Sequence, residues 1–264
     1  MSGSYFTPLQ QTGTTARYRA EAATIGPWAE HLQHGGPPNA LAVTVAEQLL
    51  SQQTGRSDLR ALRLAADFVG PVPVAELDVT GRVLRTARSA ALVEVTLAAA
   101  GRDCLHARVW FVRDADTSAV AAPLPAAAPV PQDLPGLDAA FPYGDSLEWR
   151  FVRGAMRAPG PGAAWVRPHI PVLVGHEMSG LARAALIADS ASGLSAELDW
   201  SDWSFLNIDL DVHLARPPVG EWILMEAATQ LGGNGSALAR STLSDPHGPF
   251  GAGLQTLVVA PMRR

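Results

Sequence analysis

The sequence predicts an α+β fold made of two copies of one unit, and three observations carry that prediction. First, His34-Gly35-Gly36-Pro37-Pro38 leads into the apolar run 40–46 and then Glu47, while His176-Glu177-Met178-Ser179-Gly180 leads into the run 181–188 and then Asp189. In both, the acid follows the histidine by 13 positions. Second, the two halves meet again at Pro73-Val74-Ala75-Glu76-Leu77 and Pro218-Val219-Gly220-Glu221-Trp222. Third, each half places one helical segment before a series of strand-like segments, the order of an α+β architecture. Self-similarity at so long a period indicates a duplicated domain rather than a solenoid.

The elements follow in order. Alternation over 15–20 predicts an opening strand. Gly35 to Pro38 then punctuate the chain before a helix over about 38–53, where proline is tolerated because a first-turn N–H has no partner to lose. Gly55 stops it. Four alternating or β-branched segments follow, at about 59–69, 75–85, 90–99 and 104–113, broken at Gly70-Pro71, Arg85 to Ser89 and Gly101-Arg102-Asp103. The Ala/Pro stretch from Ala121 to Pro131 reads as an extended, semi-rigid linker, since proline fixes φ and donates no hydrogen bond. The second unit is expected to carry strands at 146–154 and 163–169, a helix over 178–191, and strands near 204–215, 220–230, 236–244 and 250–259. The organisation is therefore a unit at 1–114, a linker at 115–145 and a second unit at 146–264.

Composition narrows the function. Hydrophobic residues form 47% of the 264-residue chain, ample for a core, and charged residues only 17%. That charged share lies below the usual quarter or so, so surface is expected to be buried between the halves or in a homo-oligomer. A net charge of −5 offers no basic face for nucleic acid. All 20 basic residues are arginine, which excludes a lysine Schiff base. Anionic ligands would be held by arginine, backbone N–H groups or helix starts. Cys104 stands alone, the N-terminus shows no basic segment followed by an apolar core, and no apolar run is long enough to span a membrane. A cytoplasmic protein is the expectation.

Three residues stand out chemically. Asp189 falls on the helical stripe of Leu181, Ala185 and Ala188, where a carboxylate is costly to bury unless hydrogen-bonded or paired. Such a group suits a general base; the plainer reading is a helix-end acid in water. Gln255 lies in the apolar strand 250–259, where a buried amide must find partners. Asn207 is expected on the face opposite Leu206, Ile208, Leu210, Val212 and Leu214, with Asp209, Asp211 and His213. His34-Gly35-Gly36 opens a helix whose bare N–H groups suit an oxyanion or phosphate, although the glycines equally make a tight turn. An esterase reading fails because no G-x-S-x-G elbow is present. The scattered histidines and Cys104-Leu105-His106 do not make a zinc site, and nucleotide-binding glycine motifs are absent. No metal and no cofactor are expected.

Trp28 to Glu47 with His34-Gly35-Gly36-Pro37-Pro38-Asn39-Ala40-Leu41, and Asp67-Phe68-Val69-Gly70-Pro71-Val72-Pro73, resemble the N-terminal hotdog of TesB-like acyl-CoA thioesterases. Ala188-Asp189-Ser190, Asn207-Ile208-Asp209 with His213-Leu214-Ala215-Arg216-Pro217, and Leu254-Gln255 resemble that family's C-terminal hotdog. The resemblance implies a double hotdog, with two tandem antiparallel sheets each wrapped around a central helix. It also implies a site between the halves, where a helix Asp, a strand hydroxyl and a strand Gln orient the water that attacks a thioester. Position by position these become Asp189, Asn207 and Gln255, with an amide in place of the hydroxyl at Asn207. His34, Gly35, Gly36 and Glu47 are the expected substrate-binding residues. The first-copy counterparts Glu47, Leu62 and Trp110 leave Glu47 as a reserve carboxylate in a site that cannot orient water.

The leading expectation is hydrolysis of acyl-CoA to free acid and CoA by an activated water, without a covalent intermediate. The alternative is a non-catalytic acyl- or acyl-CoA-binding protein that kept the fold, motivated by Asn207. A hydratase reading would need an Asp and a His set together as base and acid, and Asp209 and His213 lack a matching motif.

Overall fold

The computed structural model describes residues 3–137 and 141–262; residues 138–140 of the expected linker lie outside the described residues. The first half runs β1 (Phe6–Thr12), β2 (Thr15–Ala20), α1 (Gly36–Thr54), β3 (Leu59–Phe68), β4 (Glu76–Thr86), β5 (Ala90–Ala99) and β6 (Arg102–Arg113). A short α2 (Pro142–Asp145) leads into the second half. There follow β7 (Leu147–Arg153), β8 (Gly162–Pro168), α3 (Gly180–Ala188), α4 (Ala191–Leu194), β9 (Trp203–Asn207), β10 (Asp209–Leu214), β11 (Ile223–Leu231), β12 (Ser236–Asp245) and β13 (Gly248–Pro261).

Among the described residues these strands form one 13-stranded sheet ordered β1-β2-β4-β5-β6-β3-β10-β13-β12-β11-β8-β7, with β9 added on β13. Read inward from its own edge, the second half is β7-β8-β11-β12-β13-β10. It repeats the first half's order strand for strand, so the duplication is visible in the topology. The seam is an antiparallel pairing of β3 with β10, from Asp67 opposite Asp209 to Arg63 opposite His213. Each half curls about one helix, the double hotdog that the resemblance implies.

The helices are central because 36–46 of α1 and most of α3 are mainly apolar, and only the polar end of α1, Ser51 to Gln53, is exposed. Every residue of α1 from Gly36 to Ala46 is buried, and so are Leu181, Ala182 and Ala184 to Ala188 of α3. A helix apolar all round belongs in a core. Two polar side chains that enter with α1 donate locally: Thr44 Oγ1 to the Ala40 carbonyl at 2.8 Å and Asn39 Nδ2 to that of Gly35 at 3.0 Å, while Asn39 Oδ1 is buried without a partner. Small side chains let α1 and α3 pack on each other. A Cβ on Gly36 would lie 2.3 Å from the Leu186 carbonyl oxygen, so the start of α1 abuts the end of α3. α1 ends at Gly55, whose φ of +65° is the left-handed cap that glycine adopts without steric cost.

Three departures from the sequence expectations have physical causes. β1 was not anticipated, because beyond Phe6 it is a largely exposed edge strand without apolar alternation. Tyr5 and Phe6 nevertheless donate to the carbonyls of Pro171 and Val172, at 3.1 and 3.0 Å, and strap the N-terminus to the second half. The helix expected over 178–191 stops at Ala188, with Asp189 as its C-cap, before α4 begins. The strand expected over 204–215 breaks at Ile208. Asn207 pairs with Leu257 and Asp211 with Leu254, so four steps on one strand face three on the other. One extra residue makes a bulge, which reverses the alternation. Leu210, Val212 and Leu214 are buried as expected, whereas Leu206 and Ile208 are exposed and Phe205 turns inward. Asp209 pins the bulge by accepting from the backbone N–H and the hydroxyl of Thr256. β3 bulges against β6 between Ala61 and Arg63, so the same irregularity occurs in the first copy at Leu62.

Candidate active site

The bulge and the end of α3 bring Asp189 and Asn207 together. Asp189 has a side chain only 3% exposed, and each of its oxygens has a partner. Asn207 Nδ2 donates to Oδ1 at 2.9 Å, and His34 Nδ1 lies 2.9 Å from Oδ2. Asn207 Nδ2 also donates to the Asp209 carbonyl at 3.2 Å, which fixes the amide's orientation. Asn207 is thus turned toward the carboxylate by the bulge rather than out to solvent with Asp211 and His213.

Gln255 stands behind this group. Its Nε2 donates to the Asp189 carbonyl at 3.0 Å and reaches Oδ1 at 3.4 Å, while its Oε1 accepts from the Ser192 N–H at 3.2 Å. It is buried, and its amide is occupied at both ends. Gln255 thus ties the turn after α3 to β13 and lies against the Asp189 carboxylate.

His34 belongs to the group through its side chain, where the sequence had pointed only to backbone N–H groups at its helix start. Its ring stacks on Tyr143 of α2, with centroids 3.9 Å apart and planes 12° apart. Tyr143 donates to the Leu186 carbonyl at 2.6 Å and lies 3.2 Å from Ser190 Oγ. Burial holds its phenol well above the usual tyrosine range, so it stays a neutral donor. The Gly36 N–H points at His34 Nδ1 from 3.1 Å. One ring nitrogen cannot accept from an amide and donate to a carboxylate at once. The Gly36 N–H contact and the Asp189 contact therefore call for opposite placements of the Nδ1 proton.

The Gly35 backbone approaches the carboxylate closely. A Cβ there would lie 2.7 Å from both Asp189 oxygens and from Phe68 Cζ, so only glycine fits. Gly35 lines the cavity together with His34, Asp189, Ser192 and Asn207. Gly36 is placed one layer deeper, buried against Leu186. The cavity measures about 460 Å³, and its walls are mainly apolar, including Trp28, Leu32, Phe68, Val69, Phe205, Leu206 and Ile208. Trp28 stacks on Trp200 at 5.2 Å and meets Phe205 edge-on at 5.0 Å. Both copies contribute to the cavity: residues within 26–35 and 68–72 from the first, and within 189–208 with Val258 from the second.

Glu47 is not brought to this group. It lines a separate cavity, where the Ser179 hydroxyl bonds its carboxyl and burial pushes it up to about 7. The histidine that matches His34 in the 13-residue spacing, His176, is exposed and faces the Val174 carbonyl. Among the described residues no cluster of three His, Cys, Asp or Glu side chains could hold a metal, and no helix is long and apolar enough to cross a membrane.

The fold is a tandem hotdog, with a carboxylate held between an amide and an imidazole at the floor of an apolar cavity. Residues 24–112 match the model of the acyl-CoA thioesterase N-terminal domain, and residues 119–259 that of the C-terminal domain. The chain belongs to the acyl-CoA thioesterase family and is an enzyme of that class. Among solved structures it is similar to a protein of Novosphingobium aromaticivorans provisionally assigned as a thioesterase, with a TM-score of 0.74, 24% identity, and 95% of this chain and 97% of that one covered. It is also similar to the tesB protein of Mycobacterium avium subs paratuberculosis, with a TM-score of 0.72, 15% identity and 96% of each chain covered. The acyl-CoA thioesterase II TesB2 of Mycobacterium marinum gives a TM-score of 0.70 at 14% identity, covering 97% of this chain and 95% of that one. No curated protein sequence matches the chain.

Proposed function

We propose that the chain hydrolyses acyl-CoA thioesters with a water activated by Asp189 and without a covalent intermediate. The observation that carries this reading is the carboxylate itself, 3% exposed yet lining an apolar cavity, with Asn207 and His34 fixing its two oxygens. The acyl group fills the cavity between Trp28, Phe68 and Phe205. A water beside Asp189 gives up its proton to the carboxylate as its oxygen bonds the thioester carbon. The charge that develops on the carbonyl oxygen meets the Gly35 N–H at the start of α1, where the helix dipole favours an anion. Collapse breaks the carbon–sulfur bond, and the CoA thiolate takes the proton back from Asp189. Among the described residues lining the cavity, Ser192 is the only hydroxyl and there is no thiol. That composition supports direct attack by water.

Thiol release from a panel of acyl-CoA substrates tests the reading. Asp189→Asn should cut turnover by about 10² to 10⁴, the usual worth of one general base, while the protein still melts cooperatively. Full activity in Asp189→Asn would refute it. The second reading, an acyl binder without turnover, is favoured by one detail: Asn207 spends its N–H donors on Asp189 and Asp209. Its outcome would be tight acyl-CoA binding, no thiol release by the wild type, and hydrolysis gained in Asn207→Thr.

A further inference from the structure

The cavity at Glu47 is the counterpart of the candidate active site, and it is built rather than left over. α1 and α3 lie antiparallel, so each helix start faces the other helix's acid: Gly35 faces Asp189, and Ser179 faces Glu47. Both cavities adjoin a bulge on the strand that forms the seam between the halves, at Leu62 in β3 and at Ile208 between β9 and β10. The Glu47 cavity measures about 300 Å³, and Leu50, Leu59, Ala61, Phe111, Leu181 and Leu214 supply its apolar wall. Its other charged lining groups, Arg56 and Arg60, are bound to Asp58 and Asp114, which leaves Glu47 without a cationic partner among the described residues. Ser179 Oγ accepts from the Ala182 N–H as the cap of α3, and its own proton is directed to Glu47. Burial raises this carboxyl to about 7, so on the acid side of neutral it is mainly protonated and has an O–H to give. The residue ahead of the bulge, Ala61, lines this cavity with a methyl group where the other cavity has the Asn207 amide, so no amide stands beside Glu47 to orient a water.

We propose that the Glu47 cavity is a second acyl-binding site, which holds an apolar chain headed by a carbonyl oxygen and does not hydrolyse it. Two sources share that chemistry, an acyl-CoA and the free acid that hydrolysis would release. Titration calorimetry at pH 6 separates them. One arm uses decanoate. The other uses 2-oxododecyl-CoA, in which a methylene between sulfur and carbonyl prevents hydrolysis. With either or both probes, wild-type protein should take up two equivalents. Leu59→Trp, which fills the cavity from its partly exposed wall, should take up one and keep its rate of thiol release from decanoyl-CoA. Glu47→Leu should weaken the second equivalent by about threefold to tenfold, the range expected for one lost hydrogen bond. A single equivalent of both probes on the wild type, or two equivalents on a folded Leu59→Trp, would overturn the proposal. Because hydrolysis is read separately, its absence would count against the Asp189 mechanism alone.

Discussion

Replacing Glu47 with glutamine should make the protein more stable, and only above a definable pH. The carboxyl sits near 4.5 when solvated and is pushed up to about 7 by burial in the fold, against a smaller opposing effect from the Ser179 hydrogen bond. Below pH 4 the group is protonated whether the chain is folded or unfolded, and it contributes no pH dependence. Between 4.5 and 7 the unfolded chain releases the proton while the folded chain keeps it, so stability falls as pH rises. Above 7 the loss is complete. A rise from 4.5 to about 7 corresponds to about 3 kcal/mol at most, and the partial exposure of Glu47 brings this to about 1–3 kcal/mol. At roughly 2 °C per kcal/mol for a chain of this size, that is a Tm gain of about 2–6 °C. Glutamine keeps the size and can still bond Ser179, but it has no charge to bury. The assay is a set of melts of wild type and Glu47→Gln at pH 4.5, 6, 7 and 8.5. The curves should meet at the acid end and separate in favour of the variant at pH 8.5. An offset equal at all pH values, or a wild type that is the more stable at pH 8.5, would refute the argument.

Gly35→Ala should fold with a loss of about 1–3 kcal/mol, the usual cost of overpacking, and should lose most of its activity, since the new Cβ lies 2.7 Å from both Asp189 oxygens; kinetics at the wild-type rate would remove Gly35 from the site. Expressed separately, residues 1–120 and 140–264 should be insoluble or inactive, because each exposes a seam strand, β3 or β10, and half of the Asp189 cavity. A soluble second half with full thiol release would contradict a shared site.

The duplication, the two central helices and most of the strands were legible because each rests on a local signal. Proline and glycine punctuate α1, and apolar alternation marks β3 to β6. Asp189 was legible for the same reason, as a charged residue on a helical stripe that is otherwise apolar. What was illegible depends on pairing across the chain. Nothing near Asn207 announces a bulge, since the extra residue is defined only against β13, so periodicity placed Leu206 and Ile208 in the core. Tyr143 lies in Phe141-Pro142-Tyr143-Gly144, beyond the Ala/Pro stretch, where no periodic signal exists; only its stacking on His34 shows that it supports the site. Gln255 was legible as a buried amide, but its work, holding the Asp189 carbonyl and the Ser192 N–H, could not be read from one strand.

The equal spacing from histidine to acid in the two copies misled in an instructive way. It equates His34 with His176, yet the helix caps in the structure are Gly35 and Ser179. Each cavity draws its acid from one copy and its helix start from the other, so the copies did not diverge as a good site and a bad one. The first copy keeps the histidine and the glycines that serve the second copy's acid. The second copy keeps a serine cap that serves the first copy's acid. A histidine ring lies against the Asp189 carboxylate, whereas at Glu47 a serine hydroxyl offers one hydrogen bond and burial pushes the carboxyl up. Each acid's partner is thus set by the facing helix start as much as by the acid's own helix. A substitution at Ser179 is therefore expected to alter the Glu47 cavity, and one at His34 the Asp189 cavity, although each residue belongs to the opposite copy.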